Sequence, residues 1–160
     1  MEPQPQVTKQ EEVHRAKWLI LSSCSYSTPN PPPQPRTPHT GWEYVTRTTK
    51  LGIYPDGASL IPILKYPDGS QKLCLIANHR PPVGKYMLEF PAGLLDPNET
   101  VETAARRELL EETGYTLTGI RDTSFGQAIF IDPWKSNESD LWYVAEVDMS
   151  LEANKHPKQA

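Results

Sequence analysis

The sequence predicts an α+β protein, an α/β/α sandwich with a mixed sheet, preceded by a small antiparallel β lobe. Three observations support this prediction. One helix follows Gly93 and ends at Gly114, apolar stretches of strand length lie before and after it, and two further strand-like stretches flank a proline-rich segment near the N-terminus. The order of strands, helix and strands is typical of a mixed sheet with a helix packed against it.

The N-terminal part is predicted to contain a tail and the β lobe. Residues 1–13 are polar, rich in Pro and Gln and without periodicity, which predicts a disordered tail. The lobe is predicted over residues 14–56, with strands at Ala16–Cys24 and Trp42–Thr48. The proline-rich stretch 28–40 is unsuited to helix or central strand, so we expect a long hairpin loop there, or alternatively a ligand for a proline-binding domain.

Residues 57–160 are predicted to form the main domain, which we expect to be truncated at its C-terminus. A Pro-Asp-Gly turn at 55–57 marks its start. Ala58–Lys65 and Lys72–Asn78 are predicted to form a hairpin that is buried on both faces. Two more strands are predicted after the helix, one within Ser124–Ile131 and one at Leu141–Asp148.

The bulk composition limits the classes of function. The chain has 160 residues, 37% of them hydrophobic, and a net charge of −4; its mean hydropathy is −0.58. The acidic charge argues against a general affinity for nucleic acid or for an anionic membrane. The N-terminus lacks the features of a secretory signal, and Cys24 and Cys74 are too few for a disulfide framework. We therefore expect a cytoplasmic protein, with the nucleus as the alternative location.

The helix is predicted from signals at both of its ends. Asp96 is the predicted N-cap, because Pro97 would occupy the first helical position and Glu99 follows the cap by three residues. Gly114 offers the left-handed residue with which many helices end.

Acidic residues are concentrated on one face of this helix. Glu108, Glu111 and Glu112 have the i, i+3, i+4 spacing that aligns side chains. Small apolar residues precede them on the same face, which indicates packing against protein: Val101, Ala104 and Ala105. Oxygen ligands on a rigid helix suit a hard dication such as Mg²⁺, with Mn²⁺ as the alternative. The competing interpretation is a solvated acidic face that Arg106 and Arg107 neutralise.

The spacing of this segment resembles the Nudix box, the signature of the Nudix hydrolases. The pattern G-x5-E-x7-R-E-U-x-E-E-x-G-U, where U is aliphatic, matches at Gly93, Glu99, Arg107, Glu108, Leu109, Glu111, Glu112 and Gly114, with Tyr115 at the last position. The resemblance implies a family that splits a nucleoside diphosphate linked to another moiety and uses divalent cations held by the box glutamates.

Sequence outside the box resembles the ADP-ribose pyrophosphatase branch of the family. The run from Asn78 to Asp96 looks like its R-P-P-x-G-x-x-x-x-E-[FL]-P-A-G-x-x-D pattern, and Lys17-Trp18 and Trp42–Thr49 resemble its two tryptophan-bearing strands. The branch implies Mg²⁺-dependent hydrolysis of the diphosphate bond of ADP-ribose and related nucleoside diphosphate sugars to AMP and a sugar phosphate. It also implies a small-molecule partner rather than nucleic acid or membrane.

The resemblance assigns the metal site to the box helix. Glu108 and Glu112 correspond to direct metal ligands, and the backbone carbonyl of Ala92 to a further one. Glu111 is the remaining box acid, which would bind the metal or orient its water. These three glutamates are therefore the candidate catalytic residues.

The resemblance also assigns residues to the substrate. Trp18 and Trp42 would stack on a purine, with two core tryptophans of the lobe as the alternative. In relatives these two tryptophans come from different subunits, which implies a homodimer. The complete predicted substrate-binding set is Trp18, Trp42, Glu43, Arg47, Arg80, Leu94 and Asp132.

Two alternatives to this function stay open. One is a truncated, catalytically weak Nudix module that binds ADP-ribose without turnover. Relatives carry a further glutamate beyond the strand at Leu141–Asp148, and this sequence ends at Ala160 without it, so that Glu138 or Glu152 would have to substitute. The other is a pyrophosphatase for another nucleoside diphosphate derivative.

Overall fold

The computed structural model describes residues 4–50, 52 and 54–158. The chain divides into two compact units: unit 1 comprises Met1–Gly52 and Phe130–Glu138, and unit 2 comprises Ile53–Ile129 and Ser139–Ala160. The sequence did not indicate that Phe130–Glu138 belongs with the N-terminal unit.

The secondary structure is mostly strand. The strands are β1 (Gln6–Arg15), β2 (Leu19–Thr28), β3 (Thr37–Arg47), β4 (Gly57–Lys65), β5 (Gln71–Leu73), β6 (Ile76–Arg80), β7 (Lys85–Glu89), β8 (Ala92–Leu94), β9 (Gly119–Asp122), β10 (Ile129–Phe130) and β11 (Ser139–Asp148). The helices are α1 (Val101–Thr113) and α2 (Glu152–Lys155). None of the helices within the described ranges has the length and apolarity required to cross a membrane.

Unit 1 is built on an antiparallel sheet with the order β1-β2-β3. The prediction of a disordered tail over residues 1–13 is wrong from Gln6 onward, because β1 pairs with β2 from Gln6↔Ser27 to Arg15↔Ile20. Every side chain of β1 is exposed. Main-chain hydrogen bonds to β2 therefore form this strand. Because none of its side chains is buried, its sequence shows no alternation of polar and apolar residues. Residues 1–3 of the predicted tail lie outside the described residues.

The proline-rich loop of unit 1 is shorter than predicted. The expected limits were 28–40, but β2 continues to Thr28 and β3 begins at Thr37. Arg36 stabilises the ends of the loop, since it donates to the side-chain and backbone oxygens of Ser27 at 2.9 and 2.8 Å. Pro38 lies inside β3 opposite Ser27.

Unit 2 contains a mixed sheet, which confirms the predicted α+β class. Its path is β10-β11-β4-β5, with β8 paired to β4 and β9 paired to β11. Strand β4 runs parallel to β11 but antiparallel to β5 and β8. Helix α1 packs against β4 and β8. The completely buried apolar residues of this core are Ala58, Leu60, Ala104, Ala105, Leu109, Ala145 and Val147.

The predicted N-cap of α1 is wrong by four residues. Thr100 is the observed cap, and its Oγ1 accepts a hydrogen bond from the Thr103 N–H at 3.2 Å. Asn98 explains the difference, because its φ of 67° interrupts a helical backbone that would otherwise start at Asp96. Gly114 ends the helix as predicted, with a φ of 74° and its N–H bonded to the Leu110 carbonyl.

The predicted hairpin partner at Lys72–Asn78 divides into two strands. Its first part, β5, pairs with β4 and is exposed along its length. Its second part, β6, leaves the sheet and pairs with β7 to form a separate two-stranded sheet. Only β4 therefore has the largely buried character that was predicted for both strands.

Candidate active site

The main feature of unit 2 is the contact between β8 and the acidic side of α1. Gly93 lies so close to the Glu108 carboxylate that a Cβ on Gly93 would overlap it. Pairing of Ala58 with Gly93 holds β8 against β4, so the backbone beside the helix is firmly placed. The box glycine therefore leaves the space that Glu108 occupies.

Glu112 lies one turn further along α1 and also faces β8. Its Oε2 accepts a hydrogen bond from the Ala92 N–H at 3.0 Å. Burial raises the pKa of Glu112, and repulsion from Glu108 and Glu89 adds to this rise, while the Ala92 hydrogen bond and the charge of Arg80 oppose it. The pKa of Glu112 therefore lies above its ordinary value, and repulsion between carboxylates contributes to the rise.

Arg107 is the internal counter-charge of the acidic face. Its Nη1 donates to Glu108 at 2.6 Å and to Glu111 at 3.3 Å. The other side of the guanidinium donates to both oxygens of Glu99 and to the Leu94 carbonyl. Glu99 and Glu108 hold the pKa of Arg107 above its ordinary range. Arg107 therefore joins the loop before the helix to the acids on it.

The three box acids are not equivalent. The Glu108 side chain is 13% exposed, whereas that of Glu111 is 48% exposed. The competing interpretation of a solvated acidic face describes the outer side of α1, where Arg106 pairs with Glu102 at 2.7 Å. It does not describe Glu108 and Glu112, which face β8.

The donor atoms of this face fit a hard dication in chemistry and in charge. Two carboxylates, Glu108 and Glu112, flank a strand that also offers the Ala92 carbonyl, and the repulsion at Glu112 is of the kind that a cation relieves. Within the described residues, no three acidic, His or Cys side chains are gathered into a ready-made metal cluster. A site with few protein ligands is typical of Mg²⁺, which keeps several waters and shares substrate phosphates.

The ion pair of Glu99 with Arg107 predicts a specific acid sensitivity. Hydrogen bonds from Arg107 lower the pKa of Glu99 below its ordinary value of 4.5. The stability that this pair contributes is therefore complete above pH 4.5 and is lost as the pH falls through the lowered pKa of the folded state. In the variant Glu99→Gln we expect a lower melting temperature at pH 7 and a shallower loss of stability below pH 4.5.

Melting curves measured from pH 7 down to pH 3 test this expectation, roughly the window in which carboxylates titrate. Glu102→Gln is the matched control, since it breaks an exposed arginine pair on the same helix. Parallel pH profiles for wild type and Glu99→Gln would contradict the assignment.

Arg80, a predicted substrate-binding residue, lies on the β6–β7 hairpin of unit 2. Its Nε and Nη2 donate to the two carboxylate oxygens of Glu89 at 2.8 and 2.6 Å. This hydrogen bonding by Glu89 raises the pKa of Arg80, and Glu112 adds to the rise through its charge. The structure therefore brings Arg80 into the electrostatic neighbourhood of the metal-ligand candidates.

Several predicted substrate-binding residues lie together in unit 1. The segment Phe130–Glu138, called here the docked loop, is attached to β3: Val45 N–H donates to the Lys135 carbonyl at 2.8 Å, and Trp42 Nε1 donates to the Trp134 carbonyl at 3.0 Å. Arg47 donates to Glu138 at 2.8 Å. Trp42 and Arg47 are therefore both bound to the loop that carries Asp132, the predicted ribose contact.

The docked loop is held by its own contacts as well. The backbone carbonyl of Asp132 accepts from the Lys135 and Ser136 N–H groups, and its carboxylate pairs with Lys135 at 2.6 Å. Trp134 is 64% exposed, and Lys135 lies over its ring at 5.1 Å. Asp132 is thus positioned by a compact turn.

The two predicted stacking tryptophans lie at different positions along the β2–β3 pairing: Trp18 immediately precedes β2, and Trp42 lies near the middle of β3. Trp42 pairs with Cys24, whereas Trp18 accepts a backbone hydrogen bond from Thr48. Thr48 lies six positions after Trp42, which is about 20 Å along an extended chain. Trp18 and Trp42 are 62% and 45% exposed, so the alternative that both are core residues of the lobe does not hold.

The remaining predicted residues have clear positions. Glu43 is exposed on β3 next to Trp42, and Leu94 ends β8, where its carbonyl is bonded to Arg107. Of the two glutamates considered as substitutes for a missing base, Glu138 is paired with Arg47 in unit 1, and Glu152 is paired with Lys155 on α2 in unit 2.

Sequence reasoning missed three features of these sites. It did not find the docked loop, the Arg80–Glu89 pair or the contact of Gly93 with Glu108. The glycine of the box was the available signal for the last of these, since a glycine at a fixed place beside a helix often marks close backbone approach. The first two depend on tertiary contacts between segments that are separate in the sequence.

The chain is similar in sequence to known proteins over most of its length. Residues 59–160, more than half of the chain, match the NUDIX domain. The ADP-ribose pyrophosphatase of Saccharomyces cerevisiae is 38% identical over 148 residues, which cover 92% of this chain and 60% of that protein. The ADP-sugar pyrophosphatase of Mus musculus is 38% identical over 131 residues, which cover 82% of this chain and 56% of that protein.

A solved structure described as an ADP compounds hydrolase has the same fold. It superposes with a TM-score of 0.63 over 99% of this chain and 71% of its own, at 21% sequence identity. The chain spans 60% and 56% of the lengths of the yeast and mouse relatives. The domain match, the two relatives and the acids placed on α1 lead to one conclusion: the chain belongs to the Nudix family.

Proposed function

We propose that the protein hydrolyses the diphosphate bond of ADP-ribose and related nucleoside diphosphate sugars in a Mg²⁺-dependent reaction. The observation that carries the proposal is the convergence of Glu108 and Glu112 on β8, with Gly93 leaving room for the first and Ala92 bonded to the second. The printed names of the yeast and mouse relatives, an ADP-ribose and an ADP-sugar pyrophosphatase, support this substrate class.

In the proposed reaction one P–O–P bridge is replaced by a P–O bond from water. Water attacks one phosphorus, the bridging oxygen leaves with the other phosphoryl group, and the products are AMP and a sugar phosphate. When bound, Mg²⁺ would neutralise the charge of the diphosphate and lower the pKa of a water molecule bound to it. Mn²⁺ has the same ligand preference and is the alternative metal.

The residues of unit 2 have distinct proposed roles. Glu108, Glu112 and the Ala92 carbonyl would hold the cation, and Glu111, which is more exposed, would bind or orient water. Arg80 would contact phosphate, because a guanidinium pairs bidentately with phosphate oxygens. Leu94, whose carbonyl is bonded to Arg107, would contact substrate through its side chain only.

The residues of unit 1 are proposed to recognise the nucleoside and the distal sugar. Trp18 and Trp42 would stack on a purine, and Glu43 would accept from the adenine amino group or a ribose hydroxyl. Arg47 would contact phosphate or ribose, and Asp132 the distal ribose. The separation of Trp18 from Trp42 along the β2–β3 pairing supports the proposal that a homodimer supplies one tryptophan from each chain.

The decisive experiment is a product assay. The purified chain is incubated with ADP-ribose and Mg²⁺, and AMP and ribose 5-phosphate are quantified by chromatography, with EDTA added to the control. We expect equimolar products that vanish with EDTA. A panel of other nucleoside diphosphate sugars and dinucleotides tests the alternative that the protein is a pyrophosphatase for another nucleoside diphosphate derivative. Light scattering of the same sample measures the proposed dimer.

Binding without turnover is the second candidate, and one observation favours it. Arg107 is bonded to both Glu108 and Glu111, so metal binding competes with an internal cation. Saturable binding of ADP-ribose by calorimetry, with no AMP formed over hours at high Mg²⁺, would support this candidate and contradict the enzymatic one. We further propose a cytoplasmic or nuclear location, which the unpaired thiols of Cys24 and Cys74 support.

A further inference from the structure

Arg80 and Glu89 form a bidentate ion pair on the β6–β7 hairpin. The strand register pairs Asn78 with Met87 and Ile76 with Glu89. Since side chains alternate along a strand, Asn78, Arg80 and Glu89 project from the same face. Asn78 Nδ2 also approaches Glu89 at 3.5 Å. This polar face carries the arginine that unit 2 offers to a diphosphate.

Glu89 occupies only one edge of the guanidinium. The two hydrogen bonds come from Nε and Nη2, at 2.8 and 2.6 Å, which is the side-on edge. A guanidinium has five N–H donors, so one N–H of Nη1 and the second N–H of Nη2 remain on the end-on edge. Two donors on that edge match the spacing of two phosphate oxygens.

We propose that Glu89 is a positioning residue that fixes Arg80 with its end-on edge directed to the diphosphate. The inference rests on the proposed function and deepens it, because it gives Glu89 a role in diphosphate binding that acts through Arg80. Both oxygens of Glu89 accept hydrogen bonds from Arg80, so a metal ion would have to compete with this ion pair for them. The Arg80 side chain is 53% exposed and that of Glu89 is 28% exposed. Arg80 is therefore accessible to a ligand while Glu89 holds its guanidinium in place.

The physical benefit is preorganisation. An arginine side chain has many rotamers, and ordering it during binding reduces affinity. Glu89 orders Arg80 before the ligand arrives, and it does so close enough to Glu112 for the two charges to interact. The end-on edge of Arg80 would thereby be held ready for a diphosphate bound near Glu112.

The test compares Glu89→Gln, Arg80→Ala and the double variant. ADP binding in Mg²⁺ is measured by calorimetry, ADP-ribose hydrolysis by product assay, and Mn²⁺ binding without nucleotide by electron paramagnetic resonance. We expect Glu89→Gln to weaken ADP binding and raise KM about tenfold, the value of one charge-assisted hydrogen bond. The value of kcat should change less than about threefold, and Mn²⁺ affinity less than about twofold, because neither the transition state nor the metal contacts Glu89.

Two comparisons distinguish a positioning role of Glu89 from a purely structural one. The double variant should bind ADP no more weakly than Arg80→Ala, since Glu89 acts through Arg80. Glu102→Gln removes an equivalent carboxylate that receives Arg106 at 3.1 and 2.7 Å on α1, and it should change nothing. Glu89→Asp, which keeps the charge, should recover part of the lost affinity.

Each contrary outcome points to a different error. Loss of Mn²⁺ binding in Glu89→Gln would make Glu89 a metal ligand, and additive effects of the two substitutions would make it independent of Arg80. Tighter ADP binding would make Glu89 a competitor of the ligand. Each of these overturns the inference. If the wild-type chain binds ADP but forms no AMP from ADP-ribose, the proposed hydrolytic activity is contradicted, whereas the inference about Glu89 is not.

Discussion

Replacement of Glu112 by glutamine should lower kcat for ADP-ribose hydrolysis by about 10²–10³-fold, the usual scale for removing one key electrostatic group. The glutamine oxygen can still accept the Ala92 N–H, so the contact between α1 and β8 should persist. What is lost is the negative charge that attracts a dication. Steady-state kinetics with Mg²⁺ in excess measures the effect.

We expect the same substitution, which lowers activity, to leave the stability of the metal-free protein unchanged or to raise it. Burial and the neighbouring Glu108 raise the pKa of Glu112, which means that its ionised form costs the metal-free fold stability at neutral pH. Glu112→Gln should therefore melt at or above the wild-type temperature without metal. Added Mg²⁺ should raise the melting temperature of wild type but not that of the variant.

Glu102→Gln serves as the control for both measurements, because it lies on the same helix but pairs with Arg106 away from β8. Activity of Glu112→Gln within threefold of wild type, or an unchanged response to Mg²⁺, would remove Glu112 from the proposed metal site; roughly tenfold or more is expected for any real ligand.

Gly93→Ala should both destabilise unit 2 and displace Glu108 from the candidate metal site. The added Cβ would overlap the Glu108 carboxylate, and β8 has little freedom to retreat because Gly93 is paired with Ala58. We expect a loss of about 1–3 kcal/mol of unfolding free energy, the usual cost of overpacking. Displacement of Glu108 by about 1 Å should cost a further 10²-fold in kcat.

The experiment combines urea unfolding with kinetics. Gly119→Ala is the matched control, since its Cβ would meet only the end of the Glu146 side chain, at 3.3 Å. The double variant Gly93→Ala, Glu108→Ala removes the carboxylate that the added methyl group would overlap. It should therefore recover the lost unfolding free energy but not the activity. If Gly93→Ala is as stable and as active as wild type, the close approach of Gly93 and Glu108 does not exist in solution.

The helical part of the site was readable because its signals are local. The i, i+3, i+4 spacing placed Glu108 and Glu112 on one face, and Gly114 marked the end of α1. The start of the helix was misplaced at Asp96 because a capping pattern is degenerate. A Thr four residues later competes equally well, and the left-handed Asn98 selects it.

Strand β1 was missed for the opposite reason. Its ten residues are all exposed, so no alternation of polar and apolar residues reports the pairing with β2. Backbone hydrogen bonds carry no side-chain signature. The same applies to the docked loop, where main-chain contacts such as Val45 to Lys135 join segments that are 90 residues apart in the chain.

The sequence by itself determined the family, the α+β class and the identity of the acids on α1, because helical periodicity and motif spacing are properties of neighbouring residues. Only the tertiary structure decided what those acids meet. It placed Glu108 against Gly93, bonded Arg107 to Glu108 and Glu111, and paired Arg80 with Glu89. These contacts depend on which strands lie side by side, and main-chain hydrogen bonding sets that arrangement without a pattern in the sequence.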